Sequence, residues 1–124
     1  ITEGCVATPV FGDTRTVNAI IGEAENQGYK GMLAVACAIQ NRGTLTGVYG
    51  EHAPRVTGEK YSKAILKQAQ KAYRESLNAD NCEFVGGATH WESVDFKVPY
   101  WAKSMEVVAK IGKHIFYRGE KCQK

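Results

Sequence analysis

Two apolar stripes at helical spacing, separated by a short polar break, constrain this chain more than any other feature. Val17, Ile20, Ile21 and Ala24 fall at i, i+3, i+4 and i+7, and Met32, Val35, Ala36 and Ile39 repeat the pattern. Each stripe must be buried, so the stretch predicts two consecutive helices packed on a shared core. "ENQG" separates them, and Gly28 is free to take the left-handed conformation that a helix C-terminal turn requires. Asp13 or Thr14 is expected to cap the first helix, and Gly43 to stop the second. The small residues Ala34, Ala36 and Ala38 would let a neighbouring helix approach closely.

A third helix is expected from about Lys60 or Ser62 to Leu77, with Ile65, Leu66, Ala69, Ala72 and Tyr73 facing inward. Before it, "GTLTGVYGEHAPRVTGEK" is rich in turn formers and reads as a long irregular loop of the functional kind. After it the pattern changes. "ATHWESVDF" and "KIGKHIFYR" carry the alternating β-branched and aromatic residues of two strands in a small antiparallel sheet. Between them "VPYWAKSMEVVA" reads as a short helical turn, with Pro99 barring a central strand. Helices first and strands in the C-terminal half predict an α+β domain, and 124 residues suffice for one domain spanning 1–124.

Composition narrows the function classes. The longest apolar stretch, Met32 to Ile39, is far short of a bilayer span, so no membrane insertion is expected. A net charge of +3 carried by scattered lysines gives weak attraction to polyanions, and no nucleic-acid partner is expected. No basic-then-apolar leader opens the chain, so a secretion signal is expected to be already removed; Ile1 in place of Met suits a processed N-terminus and a fragment alike. The four cysteines, Cys5, Cys37, Cys82 and Cys122, lack the spacing of a zinc site and lie far from the histidines, so neither a metal nor a cofactor is expected. Two disulfides in any of three connectivities are open. Cys37 in its apolar helix reads as a buried free thiol, and Cys5, Cys82 and Cys122 as staples of an oxidising compartment.

Glu23 and Glu25 are the first candidates for chemistry. At 100° per residue they flank the Val17–Ala24 stripe on opposite sides, each at a boundary where a carboxylate is half-desolvated. Removing water disfavours the charged form, which suits a general acid. Both positions suit ordinary helix-edge acids equally well, and periodicity does not choose between them. Gly22 inside the helix marks a close approach of backbone or ligand. Trp91, Tyr100 and Trp101, with His90, cluster in the β-rich half, where aromatic faces either stack on the C–H face of a sugar ring or fill the core. His90 and His114 read as hydrogen-bonded structural residues rather than metal ligands. A Cys37–His thiol pair lacks a nucleophile context.

Two stretches together resemble one family. "AIIGEAENQGYKGMLAVACAIQNR" resembles the opening motif of the SleB-type cell wall hydrolases, the spore-cortex-lytic enzymes and their bacterial and phage relatives: an apolar helix, EA, a short turn, then G-[MQ]-x-AVA-x-[VI]-x-NR. "GGATHW…VPYWAKSMEVVAKIGKHIFYR" is similar to that family's C-terminal signature, GATHF…PxWA…IGxHxFYR. Both occur in the family's order and cover more than half the chain.

The resemblance implies a lysozyme-like α+β domain that cuts peptidoglycan glycan strands as a lytic transglycosylase, between N-acetylmuramic acid (MurNAc) and N-acetylglucosamine (GlcNAc). It makes Glu23 the catalytic acid and places Thr89, His90, Trp91 and Tyr117 along the substrate cleft; Trp101 joins them as a sugar-stacking aromatic, and Glu25 is left a possible auxiliary. It further implies a monomer that is secreted, associated with the cell envelope or spore, or encoded by a phage for lysis. A hydrolase leaving reducing MurNAc ends, and a non-catalytic peptidoglycan-binding module, are the alternatives. Two departures stand out. The family often carries Arg-Gly-Glu after the EA pair, where this chain has Glu25, Asn26 and Gln27, so an acid is replaced by a neutral amide. The 43–59 loop has no clear family match.

Overall fold

The computed structural model describes residues 13–94 and 100–119. The first stripe forms helix α1, Asp13–Ala24, and the second forms α2, Gly28–Arg42, joined by a 3-10 turn at Glu25–Gln27. The direction change is made at Gly28, whose φ of 77° is positive as glycine allows, but whose ψ of 178° is extended rather than the left-handed conformation expected. Gly43 ends α2 in the left-handed conformation and donates its N–H to the Ile39 carbonyl at 3.0 Å. The cap of α1 falls before Asp13, outside the described residues.

Helix α2 is the centre of the molecule. Met32 and every residue from Ala34 to Ile39 are fully buried, because α1, the third helix and the sheet all pack around it. The alanines at 34, 36 and 38 permit that approach on every side.

The 43–59 stretch is more ordered than its composition suggests. It holds a 3-10 turn at Gly50–His52 and a one-turn helix α3, Pro54–Thr57, and it buries Leu45, Val48 and Val56 in the core. The expectation of an irregular loop is corrected here, and the reason is a contact that composition does not carry. A Cβ on Gly22 would lie 1.8 Å from the Gly50 carbonyl oxygen, so α1 and the Gly50–His52 turn meet backbone to backbone. Arg15 and Glu51 pair across the same junction through two contacts of 3.2 Å.

The expected third helix is α4, Lys63–Ser76, capped by Ser62, whose side chain accepts the Ile65 N–H at 3.1 Å. Ala69 and Ala72 are buried on its inner face, with Ile65, Leu66 and Tyr73 packed beside them. A 3-10 segment, Ala79–Val85, follows and is bonded to α2 by a Cys37–Cys82 disulfide. Cys37 is therefore not a free thiol: it lies on the side of α2 that Ala79–Val85 crosses. Cys5, Cys122, Pro99 and the Tyr100 side chain lie outside the described residues.

Among the described residues the sheet has three strands, β1 (His90–Ser93), β2 (Glu106–Ile111) and β3 (His114–Arg118), in the order β1-β3-β2 and antiparallel throughout. The "MEVVA" stretch, expected in a helical turn, instead supplies most of β2, and "KIGKHIFYR", expected as one strand, is divided between β2 and β3; only Tyr100–Ser104 forms a 3-10 turn. Val107 and Val108 favour the pleat, and the β2–β3 hairpin supplies the pairing that a local reading lacks. Gly112 turns that hairpin with φ 58°. The sheet docks on the helices through Phe116, which is fully buried.

Candidate active site

Glu23 lies one residue before the end of α1, half-buried at the floor of a cleft of about 410 Å³. Trp91 and His114 of the sheet form part of the opposing wall, with the Gln27 turn and Arg55 at the helix end. The Trp91 indole Nε1–H donates to Glu23 Oε1 at 2.9 Å. On its other side Glu23 is backed by the Gly50–His52 turn, for a Cβ on Gly50 would lie 2.8 Å from Glu23 Cγ. A larger residue at position 50 would push the carboxylate away from the indole.

Glu25 faces differently. Its Oε1 accepts from Arg55 Nη1 at 3.2 Å, while Arg55 Nη2 donates to the Gly22 carbonyl at 2.9 Å. The two acids that periodicity leaves equivalent are thus separated by their partners: Glu23 meets an indole in the cleft, and Glu25 an arginine that clasps α3 to the end of α1.

Gln27 explains the departure from the acid of the family pattern. Its Oε1 accepts the main-chain N–H of Lys113 at 2.7 Å, and a Cβ on Gly112 would lie 2.5 Å from the same oxygen. The position ties the end of α1 to the β2–β3 turn. An amide oxygen accepts that bond as a carboxylate would, and it does so without a negative charge near Glu23.

Asn41 and Arg42 close α2 and reach the strand that carries Trp91. Asn41 Nδ2 donates to the Ala88 carbonyl and Arg42 Nη1 to the Thr89 carbonyl, each at 3.0 Å. Arg42 Nη2 also donates to the Thr46 carbonyl at 2.8 Å. The "NR" of the first motif therefore grips the "ATH" of the second, which is the physical reason the two stretches belong together. Burial lowers the Arg42 pKa, opposed by Tyr49 and by the charge of Glu23, and an arginine stays protonated regardless.

The sheet divides the remaining candidates. Cross-strand pairing sets Trp91 opposite Phe116 and His90 opposite Tyr117, so alternation sends the two pairs to opposite faces. Thr89, His90, Trp101 and Tyr117 form one cluster. Thr89 Oγ1 and His90 Nδ1 lie 2.9 Å apart, and Trp101 packs 5.1 Å from the His90 ring and 5.3 Å edge-on to Tyr117. The Tyr117 hydroxyl donates to Glu92 Oε1, and burial, that bond and the Glu92 charge together push the phenol up to about 12. Trp91 alone of the five contacts Glu23 through a described hydrogen bond.

Sequence reasoning overlooked Glu92, although strand alternation from His90 places it on the same face. Its Oε2 is buried with no hydrogen-bond partner among the described residues. His90 and His114 are both held below the ordinary histidine value, chiefly by burial. Arg42 adds to the shift at His90, and Glu23 opposes it at His114. Both imidazoles are neutral at pH 7. Among the described residues no cluster of three His, Cys, Asp or Glu side chains could hold a metal ion, and no helix is long and apolar enough to cross a membrane.

A family model described as cell wall hydrolase matches residues 26–117. The chain belongs to the cell wall hydrolase family. The matched stretch holds the Asn41–Arg42 grip, the whole sheet but for the last residue of β3, and Trp91, and it begins three residues after Glu23. Among curated members, the spore cortex-lytic enzymes of Bacillus cereus and Oceanobacillus iheyensis are 32% and 33% identical over 108 residues, covering 80% of this chain. The chain spans about two-fifths of the length of those relatives, 41% and 38%. Two solved catalytic domains share the cell wall hydrolase fold. SleB from Bacillus cereus superposes with a TM-score of 0.61, covering 85% of this chain and 88% of that one. The germination-specific lytic transglycosylase SleB from Bacillus anthracis gives 0.63, covering 85% and 92%. Both are 27% identical to this chain.

Proposed function

We propose that the chain is a peptidoglycan lytic transglycosylase in which Glu23 is the sole acid–base group. The observation that carries the reading is the Glu23 carboxyl, half-buried in the cleft and held at one oxygen by the Trp91 indole. Protonated Glu23 donates to the bridging oxygen between MurNAc C1 and GlcNAc C4, and the C1–O bond breaks. The substrate's N-acetyl group steadies the cationic C1. The MurNAc 6-hydroxyl oxygen then bonds to C1, its proton returns to Glu23, and a 1,6-anhydro end is released. One carboxyl suffices because the substrate supplies its own nucleophile, unlike the paired acids of most glycosidases. Membership of the cell wall hydrolase family and the likeness to a lytic transglycosylase domain support the reaction type. Thr89, His90, Trp101 and Tyr117 are proposed to carry the glycan beyond the cleavage point, where Trp101 offers the aromatic surface. The enzyme would work at the cell envelope or spore, where the Cys37–Cys82 disulfide persists.

A hydrolase is the second reading, and Glu92, a lining residue of the same cleft, is the second acid it would call on, although its carboxylate sits with Tyr117 on the other face of β1. Against it, Glu92 Oε1 is already taken by Tyr117. Digestion of purified peptidoglycan, with mass spectrometry of the released ends, tests both. Anhydro ends from the wild type, abolished by Glu23→Gln, support the transglycosylase; reducing ends support the hydrolase. An active Glu23→Gln enzyme removes Glu23 from the mechanism. Glu25→Gln, which breaks only the pairing with Arg55, is expected to keep most of the activity.

A further inference from the structure

Three features carry no role yet beyond the proposed reaction steps: a groove between α1 and α4 lined by Val17, Tyr61 and Tyr73, the lysines along α4, and the hold of Trp91 on one oxygen of Glu23. Only the last has a geometry that dictates chemistry. We propose that Trp91 is the positioning residue of the catalytic acid. Its indole N–H reserves Glu23 Oε1 as an acceptor, so that Oε2 alone carries the proton in both halves of the reaction. This rests on the reading of Glu23 as the acid and deepens it.

An indole Nε1–H is only ever a donor. Oε1, 2.9 Å away, must therefore present a lone pair whether Glu23 is charged or neutral. In the neutral acid the hydroxyl is then at Oε2, and the oxygen that protonates the leaving group is the one that collects the 6-hydroxyl proton. A carboxyl free to rotate would divide its proton between two oxygens, only one of which faces the glycosidic bond.

The indole is itself fixed from several sides. Its ring lies 6.4 Å from Phe116, its cross-strand partner, which is fully buried. The strand start is held by the Thr89 N–H on the Tyr117 carbonyl at 3.0 Å, and by Asn41 and Arg42 on the Ala88 and Thr89 carbonyls. From the far side Gly50 confines Glu23 Cγ. With its ring against Phe116 and its N–H on Glu23, Trp91 is placed to serve the acid, a role different from the substrate binding expected of it. Phe, the residue of the family's GATHF signature, keeps a ring here and lacks the donor.

The test compares wild type, Trp91→Phe and Glu23→Gln, with soluble glycan fragments as substrate and melting temperatures measured alongside. In Trp91→Phe, kcat is expected to fall about tenfold, the effect of losing one charge-assisted hydrogen bond, with KM within about twofold. An unchanged kcat with raised KM means that Trp91 binds sugar, and overturns the proposal alone. Activity in Glu23→Gln overturns the proposal together with the reading beneath it. A second measurement needs no folded Trp91 variant. The chain has two tryptophans, and the proposal requires one indole N–H resonance to titrate with pH in the wild type and to stop doing so in Glu23→Gln. Two indole signals that ignore pH overturn it.

Discussion

At the level of single residues, the site is built from hydrogen bonds that reach across the chain. Glu23 is joined to Trp91, Gln27 to Lys113 and Tyr117 to Glu92. Tyr117 is 4% exposed and its phenol is raised to about 12 from an ordinary value of 10.0, so the folded state favours the neutral form. A group whose folded pKa exceeds its unfolded one contributes stability that is complete below pH 10 and is lost as pH rises toward 12. Tyr117→Phe is therefore expected to lose that alkaline component. It also leaves a buried Glu92 oxygen unpaired, at about 1–3 kcal/mol near pH 7. Denaturant titrations of both proteins at about pH 7 and from about pH 9 to 11 check the two effects, the upper range bracketing the ordinary phenol value. Parallel curves across that range would mean that the phenol is not held neutral by the fold. None of these pairs is legible in the sequence. Glu23 and Glu25 look alike along one helix, and their difference comes from Trp91 and Arg55, which lie 68 and 30 residues away.

At the level of elements, α1, α2 and α4 form where the apolar spacing places them, because a buried stripe, a Ser62 cap and a Gly43 stop are local in sequence. The 43–59 stretch and β2 depart from expectation for the converse reason. Turn-rich composition describes exposed backbone, but Gly50 is pressed against Gly22, and Leu45, Val48 and Val56 around it are buried. The same contact yields a test. Gly22→Ala puts a methyl group where the Gly50 carbonyl stands, so α1 and the Gly50–His52 turn must separate. The expected cost is about 1–3 kcal/mol, the range for an overpacked core. Activity is expected to fall by more than the stability loss accounts for, because Glu23 is the next residue. Thermal denaturation and glycan cleavage measured on the same preparation check this, and a Gly22→Ala protein with unaltered activity would show that the turn does not hold the acid in place.

Over the whole molecule, the Cys37–Cys82 disulfide joins α2 to the Ala79–Val85 segment across a sequence separation of 45 residues. Closing a loop of that length in the unfolded chain stabilises the fold by about 2–4 kcal/mol. Reduction, or the double substitution Cys37→Ala with Cys82→Ala, is expected to lower the melting temperature accordingly. An unchanged melting temperature under reducing conditions would mean that packing around α2 suffices alone. The segment runs directly into Gly86, Gly87 and the strand bearing Trp91, so the bond also steadies the approach to the site. The sequence by itself determined the helices around α2, the α+β class and the pair of motifs that mark the family, because periodicity, caps and motif spacing are written along the chain. Only the tertiary structure decided which acid meets an indole, what Gln27 does in place of an acid, and which cysteine pairs with Cys37. Those are distances between residues remote in sequence, set by how closely two glycines allow the backbone to approach and by which face of a strand each side chain takes.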